Sequence, residues 1–138
     1  MNLLRIFLAA LAAFIVYMAA GGLFFALPST RSEFLKHSAV YRDQQGQMSH
    51  MAIGMPAMFV AMIALAVLYA MLYRGGSGLV EGARFGLLIA LFFVCTFVIH
   101  NYVNLNISLK LTLQQTVAYT LEWVLVGIVI GLIYRPAH

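Results

Sequence analysis

Few side chains in this sequence are equipped for chemistry, and Glu122 is the most informative of them. It stands inside an apolar run over residues 113–134. At a rise of ~1.5 Å per residue, a helix over that run puts Glu122 near the midplane of a bilayer. An ionisable group at that depth is costly and faces a bundle interior or a partner. Helical spacing puts Gln115, Ala118 and Tyr119 on its face. Tyr17, near the middle of the first apolar run, is placed to reach it. Two roles fit: a carboxylate that binds a proton or cation, or a buried acid hydrogen-bonded to Tyr or Thr that fixes helix register. A transporter normally carries more intramembrane charge than one acid, and no second acid lies at this depth.

Methionine supplies the second pattern. Met48, Met51, Met55, Met58 and Met62 recur at steps of three and four, so they line one helix face. Thioether sulfur is a soft ligand suited to Cu(I), and His50 stands beside Met51 and Met55, which makes these three a candidate copper set. The plainer expectation is no metal, with methionine as flexible filler at a helix interface. His100 and Asn104 share a face one helical turn apart. With His50, and His37 in the adjoining loop, they fall at one membrane face, as a polar cluster or as a helix end meeting water. Haem ligation by His50 and His100 is disfavoured, because both lie at the membrane edge and no C-x-x-C-H motif is present.

Catalysis finds little support. There is no Ser-His-Asp set, zinc signature or paired metal-binding carboxylates. The loop Gly75-Gly76-Ser77-Gly78 lacks the GK[ST] of a phosphate cradle. Glu81 and Arg84, at i and i+3, read as a surface ion pair. Asn106-Ile107-Ser108 matches a glycosylation acceptor but lies too close to the bilayer to carry weight. Cys95 is the only cysteine, so no internal disulfide forms. No catalytic residue and no cofactor are expected.

The elements that must hold these residues are membrane spans. Of 138 residues, 64% are hydrophobic and 9% charged, and the mean hydropathy is +0.96. A soluble domain this small cannot bury so much apolar side chain. The net charge of +4 comes from lysines and arginines scattered singly at the polar breaks, which anchor helix ends at headgroups and do not form a nucleic-acid surface. Four runs are long enough to span, at about 6–27, 51–73, 85–102 and 113–134. None alternates with period two, and backbone groups in lipid must pair within their own segment, so each run is predicted helical. The fold expected is all-α: one domain, an integral membrane four-helix bundle. The first run exceeds a signal peptide's apolar core and is read as an uncleaved span. Arg135-Pro136 closes the last.

Between the first two spans lies a polar loop over 28–50. Thr30 and Glu33 there fit a capping box. They predict a short interfacial helix over about 31–44, ended by Gly46, unless the segment is a mobile loop. The basic residues divide evenly, Arg5, Arg74, Arg84 and Arg135 on the side of the termini and Arg31, Lys36, Arg42 and Lys110 on the other. But Arg5, Arg74 and Arg135 sit against span ends in short segments, which favours cytoplasmic termini. Gly82 and Gly86, with Ala90, and Gly127 and Gly131, lie at four-residue spacing, the pattern that lets helices approach closely in lipid. Such spacing does not separate contacts within a chain from contacts between chains.

The segment Arg74-Gly75-Gly76-Ser77, followed by Leu79, Glu81-Gly82 and Phe85-Gly86-Leu87, carries a likeness. So do Asn101-Tyr102, Ser108-Leu109-Lys110-Leu111 and the run 127–134 from Gly127 to Tyr134. On these residues the second half resembles a family of small bacterial four-span membrane proteins, a domain of unknown function. The resemblance implies four helices and a bacterial inner membrane, and brings no activity or cofactor. The function expected is a non-catalytic accessory or interaction subunit of a larger membrane complex, its partners the lipid bilayer, other subunits or further copies of itself. An oligomeric transporter or channel using Glu122 is the alternative, and a copper-handling protein using the methionine stripe the next.

Overall fold

The computed structural model describes residues 1–135; Pro136, expected to close the last span, lies outside them. The chain folds as α1 (Leu3–Ala26), α2 (Pro28–Lys36), α3 (Gln44–Leu72), α4 (Gly78–Phe93), a π-helical turn (Val94–Val98), α5 (Ile99–Asn104) and α6 (Leu109–Ile133). Helix α4, the π turn and α5 run on as one span, Gly78–Asn104. Four helices are therefore long and apolar enough to cross a membrane, with mean hydropathies of 2.0 to 2.4. The protein is a multi-pass membrane protein, and its described residues are all helix and connecting turns.

Side-chain caps mark the helix starts. The Asn2 side chain accepts from the Arg5 amide, Asp43 from Gly46 and Ser108 from Leu111, so each satisfies one orphan N–H of a first turn. These caps lie ahead of the apolar runs. Helices α3 and α6 accordingly begin seven and four residues before the predicted 51 and 113. Gly46, expected to end the loop helix, instead sits in the first turn of α3. The loop helix itself departs from its reading: it covers Pro28–Lys36, without a Thr30 cap. Proline is suited to the first helical position, with φ preset and no N–H to satisfy. Pro28 thus starts the helix early, which leaves Thr30 inside it and frees Glu33 for other partners.

Helix α6 is the centre of the bundle. It packs on α4 along one side and on α1 along another, and α1 carries α3 on its far side. Glycine sets the α4–α6 distance. A Cβ on Gly82 would strike the Gly127 carbonyl oxygen, and one on Gly86 would lie 2.8 Å from Val124 Cα. Gly78 extends the row, its Cβ position blocked by the Gly131 carbonyl. The small-residue faces therefore meet within one chain. Ala9, Ala10 and Ala13 give α1 a similarly thin face.

Helix α3 is held less completely. Its buried residues are Met62, Ala66 and Tyr69, all in its C-terminal half. Tyr69 packs edge-on against Phe85 of α4, with ring centres 5.3 Å apart, and its hydroxyl lies over Gly131. Beyond that end, α3 and α4 are not packed together among the described residues. The α4–α6 and α1–α6 seams are closed. The α1–α3 seam is packed where Phe7 and Phe14 meet Phe59 and opens beside Met18, Met51 and Met55. The α3–α4 seam is closed only near the termini. The loose half of α3 also contains Gly54 and Pro56, and the missing Pro56 N–H leaves the Ala52 carbonyl without its helical donor.

Candidate functional site

Glu122 is buried at 4% exposure between α6 and α1. Its Oε1 lies 3.4 Å from where a Cβ on Gly21 would stand, an ordinary van der Waals distance, so α1 faces the carboxyl at that residue. Tyr17 and Tyr119 lie within Coulombic reach of the carboxyl. The walls are aromatic. The Tyr17 ring lies 5.2 Å from Trp123, and Phe93 lies 5.4 Å from Trp123 and 4.9 Å from Tyr119. The π turn helps to build this wall: it adds a residue to the third span, and Phe97 also reaches Tyr119 at 6.4 Å. Among the described residues Glu122 makes no hydrogen bond or ion pair, and the Trp123 indole N–H is buried without an acceptor. The three residues read from sequence as an intramembrane polar site are thus brought together.

A second polar assembly caps the loop end. Glu33, 3% exposed, accepts from Lys36 Nζ at 2.7 Å and Lys110 Nζ at 3.1 Å. Ser108 Oγ donates to its other oxygen at 3.2 Å. Bonds from Lys36 first and then Lys110 hold the Glu33 carboxyl down to about 2, well below the usual carboxylate range. The Ser108 amide also donates to His37 Nε2, and Gln115 donates to the Tyr41 hydroxyl. Together these bonds fasten α2 and the 37–43 turn onto the start of α6. Thr112, Thr116 and Thr120 bond back to the carbonyls four residues earlier, so their hydroxyls serve the helix itself.

The comparisons with known proteins place the chain in one family. It matches, over residues 8–131, the family described as Protein of unknown function (DUF1761). The chain belongs to that family. The matched segment takes in every helix from α2 to α5 and most of α1 and α6. No curated protein and no solved structure matches it.

In this member of the family the other sequence-predicted residues are distributed differently. His50 is exposed and occupied with the Gly46 carbonyl and Ser49. His100 and Asn104 are exposed on α5, and α3 and α5 are not packed together, so the polar residues of that face do not converge. Among the described residues no three His, Cys, Asp or Glu side chains gather into a metal site. The methionine stripe divides: Met62 is in the core, whereas Met51 and Met55 border an open slot with Met18. Gly78, Gly21, Trp123 and the lysines on Glu33 escaped the sequence reading. Gly78 shared the four-residue spacing that marked Gly82 and Gly86. The Glu33–Lys110 pair, far apart in the chain, had no local signal.

Proposed function

We propose that this protein is a non-catalytic accessory subunit that completes a larger membrane complex, seated in an inner membrane with both termini cytoplasmic. The observation that supports this reading is the open α3–α4 seam. Helices in lipid associate through packing and close approach, since lipid tails are as apolar as leucine. A span with one half unpacked offers that contact to a helix of another subunit. The chain's own small-residue faces are already consumed inside the bundle, which leaves α3 as the surface for a partner. The test is gentle extraction from native membranes followed by native mass spectrometry. Co-migration with larger membrane subunits is expected, unchanged by Glu122→Gln. A chain that travels alone overturns the reading, and a discrete homo-oligomer replaces the foreign partner with a second copy.

A second reading rests on Glu122. A buried carboxyl with two tyrosines close by and no basic partner is the arrangement of a protonatable carrier group. That reading expects Glu122→Gln to abolish proton or cation flux in liposomes while the melting temperature holds. Equal flux in both proteins rejects it.

A further inference from the structure

Two cavities adjoin between α1 and α3, and Met51 lines both. The outer one, about 470 Å³, sits under the 37–43 turn and has Arg31 and Arg42 on its rim and Phe25, Phe34 and Tyr41 in its wall. That volume is in the range of small-molecule sites. The inner one, about 200 Å³, is lined by Met18, Met51, Gly54, Met55 and Met58 and has almost no polar surface.

Their depths differ in a way that matches a bilayer. The first turns of α3 are polar, Gln44-Gln45-Gly46-Gln47, and its apolar stretch begins at Met51. From Met51 to the end of α3 the length is close to the ~30 Å hydrocarbon core, at a ~1.5 Å rise per residue. The outer cavity therefore lies at headgroup level, and the inner slot within the outer part of the hydrocarbon. Arg31 and Arg42 form no ion pair with any carboxylate among the described residues. Asp43, also on the rim, spends one oxygen on the Gly46 amide as the cap of α3. The slot is open to the side: Met51 and Met55 are 40% and 39% exposed. A Cβ on Gly54 would meet nothing within 4 Å, so the space before it is free.

We propose that these cavities form one binding site for an anionic phospholipid of the surrounding bilayer. Its phosphate lies on Arg31 and Arg42, against the aromatic wall, and one acyl chain descends past Met51 into the methionine slot. Arginine suits phosphate through its planar donor fork. Methionine suits a disordered chain because its thioether adapts to irregular shapes. The site accounts for the methionine stripe without a metal, and for the opening between α1 and the first half of α3. It does not depend on the accessory-subunit reading, because it lies on the α1 side of α3 and not at the α3–α4 seam.

The test uses the full chain in detergent, titrated with dioleoyl-phosphatidylglycerol and read by native mass spectrometry. Dioleoyl-phosphatidylcholine and glycerol phosphate serve as the zwitterionic and chain-free arms. Phosphatidylglycerol is expected to bind one to one, with phosphatidylcholine and glycerol phosphate each weaker by roughly tenfold or more, from the loss of charge or of chain burial. Arg31→Gln with Arg42→Gln should remove the preference for the anionic lipid. Gly54→Leu should block the chain and weaken binding about tenfold, with no loss of melting temperature, because its side chain enters free space and improves helix propensity. Equal binding of both lipids, undiminished binding by Gly54→Leu, or stoichiometric copper in place of lipid overturns the proposal.

Discussion

The two glutamates of greatest interest illustrate opposite uses of a buried carboxyl. Glu33 stays charged because two lysines and a serine converge on it, the lysines exposed and the acid covered. Its folded form holds the proton less tightly than the unfolded chain. The stabilisation is therefore fully present above the ordinary carboxylate range near 4.5, fades as pH falls, and is gone below about 2. Melting in detergent should show a drop in that acid window, accompanied by release of the 37–43 turn. Glu33→Gln should start from a lower melting temperature at neutral pH and flatten the drop. A wild-type-like acid profile in Glu33→Gln would remove the clamp from the account. Glu122 has no such partners, and its place in the chain alone was enough to mark it. Glu33 was read as a helix cap, because i to i+3 spacing is the local pattern a sequence displays. Lys110 and Ser108, which claim it, come from the start of α6, far along the chain.

At the scale of elements, glycine decides which helices touch. The α4–α6 contact has backbone against backbone, so an added methyl has no flexible side chain to push aside. Gly82→Ala and Gly127→Ala should each destabilise by about 1–3 kcal/mol, as overpacking does elsewhere. Gly54→Ala, with open space before it, should be neutral or stabilising by roughly 0.5–1 kcal/mol through helix propensity. Unfolding in mixed micelles separates the three variants, and equal effects would deny that the contact is tight. The four-residue spacing was legible in the sequence as a packing signal. Its partner was not, since Gly127 and Gly131 would serve a neighbouring chain equally well. Helix boundaries were legible from the inside out: the apolar runs located the spans, and the caps Asp43 and Ser108 added polar turns that hydropathy does not count.

For the whole molecule, an even number of spans puts residues 73–77 on the side of both termini and α2 with the 37–43 turn on the other. With Cys95 replaced by Ala, Ser77→Cys should resist an impermeant maleimide in intact cells and react after permeabilisation. Ser38→Cys should react in both. The reverse pattern would invert the orientation argued from Arg5, Arg74 and Arg135. The bundle that results is lopsided. Helix α6 is wrapped by α1 and α4, while α3 is fixed at its terminal-side end by Tyr69 and stands apart from α4 at the other. That asymmetry, more than any single residue, motivates both a partner at the α3–α4 seam and a lipid between α1 and α3.

Sequence alone determined that the chain crosses a membrane four times as helices, because apolar length and the need to pair every backbone group in lipid leave no other form. It also placed Glu122 midway along the last long helix, which follows from counting residues within the apolar run. Tertiary structure decided the rest: that α4 lies on α6, that Tyr17 and Trp123 enclose the acid, that the loop helix is tied to Lys110, and that one seam stays open. In water, hydropathy tells a helix which face to bury. In a bilayer the solvent is as apolar as the core, so helix pairing is written in fine packing between residues far apart in the chain, where periodicity does not reach.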